Sequence, residues 1–472
     1  MRKVYAGVSL VFTTSIAIMG GFTACSASND SNNGAGGSGN ESTGSGGSGG
    51  STAPAGAGGG TLFDGGGVGG GGPCVNLECQ QVSCPGGGTT TVSGVVVAPT
   101  PPQYGEADPI YNAIVYVPNG DVEAFPDGVS CDKCGAAASG SPLVVTLTDA
   151  KGQFKLENVP VGANIPLVIQ IGRWRRQVVV PEVAECVDTP LPKELTRLPR
   201  SKAEGDIPRV AIASSPYDAE ECILRKIGIE DAEFTDPAQD GRVHIYAGDG
   251  ATLPGSPPMA NLWGDLNTLK KYDMVLFPCS SVASGDAAAF QNVFDYANAG
   301  GRVFATDLSY PWFKDGPKPF PSTAQWIDWT SVGVNPLPSL VDQTFPKGQA
   351  LAEWLQYVGA TQALGQIDLH ETYHVVDAVI PPTTRWLYSA SPATVQTLSF
   401  NTPVGVPAED QCGRAVYSNF HVANGFTPMG TVYPAECNPN PLTPQEKVLE
   451  FLLFDLASCV QEDKDPPIPP PH

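Results

Sequence analysis

The chain has 472 residues, with 26 lysines and arginines against 48 aspartates and glutamates, which gives a formal net charge of −22 at pH 7. This acidic balance repels polyphosphates and anionic lipids, so we expect no nucleic-acid partner. The length allows two or three domains with sizeable cores beyond a leader segment.

The N-terminal segment has the pattern of a secretory signal. Arg2 and Lys3 precede a largely apolar stretch at 4–22, which is too short to be a convincing membrane anchor. The sequence Phe-Thr-Ala-Cys that follows, at 22–25, resembles the lipobox of bacterial lipoproteins, although phenylalanine stands where leucine is usual. The resemblance implies cleavage before Cys25 and lipid attachment to its thiol. The alternative is an ordinary secretory signal with Cys25 as a stray residue.

A long low-complexity segment supports the anchor. Residues 26–73 are almost entirely Gly, Ser, Ala, Asn and Thr, and such a segment cannot bury enough apolar area to fold. We therefore predict a signal peptide at 1–24 and a lipidated flexible tether at 25–73. The residue after Cys25 is not aspartate, which by resemblance to other lipoproteins favours the outer membrane. We expect a lipid-anchored, surface-exposed protein whose first partner is that membrane.

The cysteine count predicts disulfides and one free thiol. Without Cys25, eleven of the twelve cysteines remain, and in an oxidising compartment most of them should pair. Cys279 is the candidate for the unpaired one, because it ends a strongly apolar strand and a thiol packed there is usually an inert core group. Cys131 and Cys134 form a C-x-x-C pair. This pair has two interpretations: disulfide bonds, or a zinc or redox site. Export to an oxidising compartment favours disulfide bonds.

Short strands predict a β-sandwich after the tether. β-rich runs occur at 91–97, 112–117 and 144–148, and 153–156 alternates polar and apolar residues. Residues 165–180 have the pattern of a strand pair that turns near Gly172. Strands of this length, separated by Gly, Pro and Asp turns, are typical of sandwiches.

The same region resembles the carboxypeptidase regulatory-like domains, which are transthyretin-like sandwiches. The resemblance rests on TDAKGQF at 148–154 with Leu156, Val159-Pro160 and Gly162 after it, and on VSGVV at 92–96 and AIVYV at 113–117. It implies a non-catalytic domain that acts as a spacer, a support or a binding surface. The run Arg173-Trp174-Arg175-Arg176 allows two interpretations. It is a site that stacks on a sugar or grips a carboxylate, or it is a solvated hairpin tip.

The pattern changes after a proline-broken linker at 191–205. Near-continuous apolar strands at 208–213, 272–277 and 303–306 alternate with helical patterns at 218–227, 262–269 and 286–298. This alternation predicts a parallel sheet covered by helices on both faces. We expect Asp218 to cap the first helix and Thr443 and Pro444 to begin the closing helix at 443–459.

Three stretches of this region resemble class I glutamine amidotransferase-like domains, which are flavodoxin-like three-layer sandwiches. They are Tyr-Asp-Met-Val-Leu-Phe at 272–277, Ala-Gly-Gly-Arg-Val-Phe at 299–304, and Gly-Arg-Ala-Val-Tyr at 413–417 with Phe420 and His421 after it. The resemblance implies that His421 occupies the position of the family's catalytic histidine. The chain departs from the family at the other positions, because TDLS at 306–309 replaces the nucleophile elbow and Ala423 replaces the glutamate after the histidine.

These departures argue against amidotransfer, since nucleophile, base and orienting carboxylate must all be present. Asp307 and His421 are nevertheless expected to face each other at the carboxyl end of the sheet, where open α/β sheets bind ligands. They are the candidate catalytic residues of a hydrolase.

A second candidate centre is the sequence His370-Glu371-Thr372-Tyr373-His374, a literal H-E-x-x-H. On a helix, His370 and His374 would share one face and bind zinc, with Glu371 as the general base. The flanking residues favour a strand or loop, so chance is the main alternative. Trp312, in an aromatic and proline-rich segment, is a further candidate for carbohydrate stacking, and packing over the sheet is its alternative.

We therefore predict a multidomain protein with a Cys-rich entry and β-sandwich at 74–190, an α/β three-layer flavodoxin-like domain at 206–460 and a disordered Pro-rich tail at 461–472. The expected function is non-catalytic binding of a carbohydrate or an envelope protein, without a cofactor. The alternatives are a hydrolase at the Asp307 and His421 cleft, a zinc metalloprotease, or a purely structural envelope component.

The lipidation site can be tested directly. We expect Cys25→Ala to abolish incorporation of labelled palmitate and to move the protein into the aqueous phase on detergent partitioning, because the Cys25 thiol carries the lipid. Cys279→Ser, which removes the predicted free thiol, should leave the label in place. Equal labelling of the Cys25→Ala variant and the parent would contradict the assignment.

Overall fold

Seven strands in two sheets build the first part of the chain that the computed structural model describes. The described residues are 74–422 and 426–471, so Cys25, the predicted signal peptide and the predicted tether lie outside them. In β4 the apolar Phe154 and Leu156 are buried while their neighbours are exposed, as their alternation predicts. The strands are β1 (Thr91–Val95), β2 (Ile114–Pro118), β3 (Pro142–Leu147), β4 (Gln153–Glu157), β5 (Gly162–Ile171), β6 (Trp174–Val183) and β7 (Asp188–Pro190).

The strand orders are β4-β1-β7 in one sheet and β3-β2-β5-β6 in the other. Strands β5 and β6 form an antiparallel hairpin that turns at Gly172 and Arg173, as predicted. Gly172 has a φ of +52°, and a Cβ there would lie 1.7 Å from the carbonyl oxygen of Ala457. The hairpin turn therefore abuts the end of the closing helix, and only glycine allows that approach.

The predicted linker at 191–205 is packed rather than free. It contains helix α1 (Lys193–Thr196), and the Thr196 hydroxyl donates to the carbonyl oxygen of Val95 at 2.6 Å. Arg197 is buried and forms a two-point ion pair with Glu204. The hydrogen bond from Arg197 lowers the pKa of Glu204 to about 2. These contacts tie the segment to the first sheets.

A large mixed sheet dominates the remainder. Its order is β15-β14-β17-β18-β19-β12-β11-β8-β10-β9; the strands from β19 to β9 run parallel and those from β15 to β18 form an antiparallel extension. A separate pair, β13 and β16, is antiparallel. The strands are β8 (Val210–Ala213), β9 (Phe234–Thr235), β10 (Val243–Tyr246), β11 (Met274–Phe277), β12 (Arg302–Thr306), β13 (Ala324–Ser331), β14 (Leu337–Val341), β15 (Gln366–Leu369), β16 (Tyr373–Val379), β17 (Thr384–Ala390), β18 (Ala393–Thr402) and β19 (Gly413–Ser418).

Helices cover both faces of the parallel part. Ala211, Val275 and Val303 share a core with α5, whereas their neighbours in sequence share a core with α2 and α8. Among the described residues, no helix is both long and apolar enough to cross a bilayer. The helices are α2 (Glu220–Ile227), α3 (Ala260–Trp263), α4 (Leu266–Leu269), α5 (Ala287–Asn298), α6 (Pro311–Lys314), α7 (Pro346–Tyr357) and α8 (Pro444–Ala457).

The helix boundaries follow their capping residues in most cases. Thr443 with Pro444 begins α8, as predicted, and Asp286 caps α5. The predicted helix at 262–269 is two short helices, because α3 ends before Gly264 and α4 begins after Asp265. The expected cap at Asp218 is wrong, since Ala219 precedes α2 and the Asp218 side chain points elsewhere.

Disulfides join the first sheets to the α/β part. Both cysteines of the C-x-x-C pair have distant partners, Cys131 with Cys412 and Cys134 with Cys459. This pairing removes the zinc or redox alternative at Cys131 and Cys134. Within the described part of the chain, Cys279 is the free cysteine and it is buried, as predicted. The other pairs are Cys74–Cys79, Cys84–Cys186 and Cys222–Cys437.

Residues 461–471, the described part of the expected disordered tail at 461–472, contact the rest of the structure through a buried carboxylate. The Asp463 carboxylate accepts hydrogen bonds from Arg414 at 2.8 and 2.9 Å, and Lys347 lies 3.3 Å from it. Asp455 of α8 completes this buried ionic cluster, at 2.7 Å from Lys347. Burial opposes ionisation, but Arg414 and Lys347 lower the pKa of Asp463 to about 2. Charge pairing therefore holds a segment whose composition alone is typical of disorder.

We expect Asp463→Asn to lower the free energy of unfolding by about 3–5 kcal/mol, because losing one partner of a buried ionic cluster leaves uncompensated charge. The stabilisation by Asp463 should also fade as the pH falls from about 4 towards 2, since its folded pKa lies below the unfolded one. Denaturant titration followed by tryptophan fluorescence measures both effects. Asp465→Asn, outside the cluster, should change stability by less than about 0.5 kcal/mol. Equal midpoints for the two variants would refute the role of the cluster.

Candidate functional site

Four side chains meet at the carboxyl edge of the parallel sheet. Because β8, β11, β12 and β19 are parallel neighbours, the residues that follow them gather at one edge. We call these residues the edge cluster: Asp218 after β8, Cys279 after β11, Asp307 after β12 and His421 after β19. Asp218 and Asp307 are fully buried, Cys279 is 1% exposed, and His421 is 9% exposed. The cluster reaches solvent mainly through the imidazole.

The two predicted residues of the cleft are in contact. One carboxylate oxygen of Asp307, Oδ2, pairs with Nε2 of His421 and also lies 3.1 Å from Sγ of Cys279. Asp307 has a φ of +41°, a left-handed conformation that is uncommon for a residue other than glycine. The Tyr417 hydroxyl donates to its carbonyl oxygen at 2.9 Å and supports this turn. The turn after β12 thus presents the Asp307 carboxylate at the carboxyl edge of the sheet.

Asp218 is a member of the site that the sequence analysis missed. Its Oδ1 accepts from the backbone N–H of Val422 at 2.9 Å. Its Oδ2 accepts from the N–H of Cys279 at 3.2 Å and from the hydroxyl of Thr306 at 2.5 Å. Burial raises the pKa of Asp218 above its usual range. Because Asp218 lies just before a helix, the local sequence predicts a capping residue. Its hydrogen bonds to residues far along the chain leave no sign in that local pattern.

Cys279 lies in the cluster rather than in a purely apolar core. Burial raises the pKa of its thiol to about 11, so the thiol is protonated at neutral pH. The thiolate is the nucleophilic form of cysteine, and a buried protonated thiol is a poor nucleophile. The prediction of a free and buried thiol is confirmed, and its contact with Asp307 is new.

His421 carries a positive charge in this setting. Burial disfavours the charge, but hydrogen bonds to Asp307 and Cys279 raise the pKa of His421 well above its usual range. Its other ring nitrogen, Nδ1, lies 3.9 Å from Oε2 of Glu371. Gln445 of α8 donates to the His421 carbonyl oxygen at 2.5 Å. The imidazole is therefore oriented from both sides.

The H-E-x-x-H sequence does not lie on a helix. His370 follows β15, Glu371 occupies a turn with a φ of +52°, and His374 lies on β16. The Nε2 atom of His374 is 2.7 Å from a carboxylate oxygen of Asp377. The one-face arrangement that the zinc motif requires is therefore not formed, because strand and turn geometry replaces the helical period. Of the three candidate metal-site residues, Glu371 approaches the edge cluster.

The run of arginines and tryptophan at 173–176 is largely an interior feature, which corrects both interpretations of it, the exposed sugar-binding site and the solvated hairpin tip. Arg173 and Arg175 are buried and pair with Asp273 and Asp206, each at 2.8 Å. Trp174 is buried in an edge-to-face contact with Phe454 of α8, at 4.7 Å between ring centroids. The acidic partners are far away in sequence, so the local pattern gave no sign of them.

Trp312 is likewise buried, against the expectation of a carbohydrate-stacking ring. It stacks on Phe277 with ring centroids 4.8 Å apart, and its Nε1 donates to the carbonyl oxygen of Ser281 at 2.6 Å. Trp312 therefore fits the alternative interpretation, in which the ring packs over the sheet.

Exposed aromatic rings surround the accessible side of His421. Tyr217 and Tyr373 flank the imidazole, with centroids 6.2 and 6.0 Å away. Phe426 continues the series beyond Tyr217 at 5.5 Å, and Trp329 continues it beyond Tyr373 at 5.4 Å. We call these four rings, together with the His421 imidazole between them, the aromatic row. Phe426, Tyr217 and Trp329 are 63%, 44% and 53% exposed. Sequence patterns did not identify Tyr217, Tyr373 or Phe426, because the row forms from four separate segments.

Comparison with known proteins identifies no family. No family model and no curated protein matches the chain. Among solved structures, it is similar to a cytoplasmic protein from Salmonella typhimurium at 10% identity and a TM-score of 0.26, over 46% of this chain and 88% of that one. A ThuA-like protein from Bacteroides uniformis gives 10% and 0.23, over 45% and 80%. Gan42B, a GH42 β-galactosidase from G. stearothermophilus, gives 12% and 0.27, over 55% and 32%. TM-scores this low support no inference about function, so the function is inferred from the geometry of the site.

The burial of Cys279 predicts its reactivity. We expect the native protein to give no rapid reaction with a disulfide reagent such as dithionitrobenzoate, because the thiol is inaccessible and protonated. The denatured protein should react, and the denatured Cys279→Ser variant should lack that reactive group. Absorbance of the released thiolate measures all three. Fast stoichiometric labelling of the native protein at Cys279 would contradict this picture and would favour a nucleophilic role.

Proposed function

We propose that the protein is a non-catalytic surface lipoprotein that binds a carbohydrate along the aromatic row. The observation that carries the proposal is the row itself, in which exposed rings lie side by side over the carboxyl edge of the sheet. Aromatic faces offer large apolar area for stacking on the C–H faces of sugar rings. Several adjacent exposed rings also form an apolar patch that is typical of interaction sites.

Polar groups within the row supply specificity. His421 presents one edge of its ring between two tyrosines, and the Glu371 carboxylate lies next to it and is largely exposed. A small number of placed polar groups among apolar rings is the usual composition of a ligand site. We propose that these two residues hydrogen-bond to sugar hydroxyls while the flanking rings stack.

The interior of the edge cluster argues against hydrolysis as the main activity. The Asp307 carboxylate is engaged by His421 and Cys279, so the imidazole is an ion-pair partner rather than a free base. The thiol is buried and protonated. General-base catalysis requires an unprotonated base within reach of the reacting proton.

The wider setting follows from the sequence. We propose that Cys25 is lipidated and that the tether displays the head at the outer surface of the cell. The two-sheet region at 74–190 is proposed to be a carboxypeptidase regulatory-like support with a transthyretin-like arrangement. The region at 206–460 is proposed to be a degenerate glutamine amidotransferase-like domain that retains the family histidine as His421.

A thiol hydrolase is the second candidate, since Cys279 lies in hydrogen-bond contact with Asp307 and beside His421. Opening of the rim over His421 would expose the thiol to a substrate. Hydrolysis of ester or amide substrates that is lost in Cys279→Ala would favour this candidate, whereas carbohydrate binding that survives Cys279→Ala would favour the first.

We expect Trp329→Ala and Tyr373→Ala each to weaken binding of the best polymer in a panel of soluble envelope polysaccharides. The loss should be about fivefold or more, corresponding to roughly 1 kcal/mol for an aromatic anchor. Isothermal titration calorimetry measures the affinities. Tyr357→Ala is a matched control, because this tyrosine is also 53% exposed but lies outside the row at the end of α7. Unchanged affinity in both row variants would rule out the aromatic row as the binding surface.

A further inference from the structure

We propose that the edge cluster is a binding site for a divalent cation of the zinc type. Ligand atoms of Asp218, Cys279 and His421 all lie within 4.8 Å of one another. The Asp307 carboxylate contacts both Cys279 and His421 from the same side. Carboxylate oxygen, thiolate sulfur and imidazole nitrogen are the donors that zinc binds, at about 2.0–2.3 Å from the metal. Three residues thus bring ligand atoms together, and the Asp307 carboxylate, which contacts two of them, is a fourth candidate donor.

The charge of the cluster favours a cation. Two carboxylates are fully buried here; Asp307 pairs with the His421 imidazole, whereas Asp218 accepts only neutral hydrogen bonds among the described contacts. Buried carboxylates need compensating charge, because their transfer out of water is costly. Oδ1 of Asp307 is buried and has no hydrogen-bond partner among the described residues. Such an orphaned acceptor requires an explanation, and a bound ion supplies one.

The surroundings of His421 match those of a metal-binding histidine. Its Nε2 points inward to Asp307, while its Nδ1 lies 3.9 Å from the Glu371 carboxylate. Metal-binding histidines usually direct their second nitrogen to a carboxylate or carbonyl, which fixes the orientation of the ring. At 3.9 Å the Glu371 carboxylate is close to this nitrogen but beyond hydrogen-bond distance, so one residue of the H-E-x-x-H sequence approaches the cluster as a candidate for that partner.

The remaining ligands are held rigidly. Asp218 is fixed by two backbone N–H groups and the Thr306 hydroxyl, and Asp307 by the tyrosine-supported turn after β12. Cys279 coordinates as the thiolate and His421 through a ring nitrogen that has lost its proton, so binding releases the thiol proton and the imidazolium proton. His421 is the most exposed member and marks the side on which an ion enters, between Tyr217 and Tyr373. This proposal does not depend on carbohydrate binding.

Cobalt(II) is a sharp probe of the site, because a thiolate ligand gives a charge-transfer band that oxygen and nitrogen ligands do not. Within the described residues the other cysteines are in disulfides, so such a band reports Cys279. We expect the full-length protein, purified in detergent and stripped with a chelator, to bind one equivalent of Co²⁺ with this band. Zn²⁺ should displace it.

Variants separate the cluster from adventitious binding. Cys279→Ser, which is nearly isosteric, should abolish the band, and Asp218→Asn should weaken binding by about tenfold or more. His374→Ala should leave both unchanged. Zn²⁺ should also raise the melting temperature of the parent but not that of Cys279→Ser, which keeps the test valid if Asp218→Asn fails to fold. Absence of the band, an unchanged band in Cys279→Ser, or loss of binding in His374→Ala would each overturn the proposal.

Discussion

The Asp218 carboxylate holds the ends of four strands in one place. It follows β8 and accepts hydrogen bonds from the residue that follows β11, from the last residue of β12 and from the loop after β19. Each of these bonds satisfies a donor that is buried away from water, where an unmet hydrogen bond is expensive. The positions of Cys279, Asp307 and His421 therefore depend on a side chain that itself faces the interior.

The carboxyl edge of the sheet therefore has two layers. The inner layer is the buried edge cluster, and the outer layer is the aromatic row. In the inner layer, buried polar groups hydrogen-bond to one another, except that Oδ1 of Asp307 has no partner among the described residues, and their charges interact strongly because they are buried. In the outer layer, aromatic rings from four segments lie around the His421 imidazole, which belongs to both layers. The inner layer is built like a catalytic centre, but its groups are paired among themselves. The outer layer has the free surface that recognition requires.

Sequence periodicity predicted the regular framework well, because those signals are local. The apolar strands of the parallel sheet, the hairpin at Gly172 and the start of α8 at Thr443 all depend on neighbouring residues. The antiparallel extension of the sheet was not predicted, since its strands pair with segments far away along the chain.

The candidate site was predicted in part for the same reason. Asp307 and His421 follow strands and could be placed at the sheet edge, but the three hydrogen bonds of Asp218 come from donors 61, 88 and 204 residues further along the chain. Local composition was misleading wherever a charged residue far along the chain determines whether a segment is buried. Arg173 is buried because of Asp273, and the Pro-rich C-terminal segment contacts the rest of the structure because Asp463 meets Arg414.

Cys131 and Cys134 bond to partners 281 and 325 residues further along the chain. A polypeptide is synthesised, and crosses a membrane, N-terminus first. These two thiols therefore emerge long before Cys412 and Cys459, and the nearest oxidation partner of each is the other. If Cys131 and Cys134 were oxidised as soon as they emerged, they would form a non-native disulfide with each other. The native pairs therefore require either that both thiols stay reduced until Cys412 and Cys459 have emerged or that the non-native disulfide is exchanged later. The native covalent frame is therefore completed only after Cys459 has emerged, which makes correct oxidation a late step.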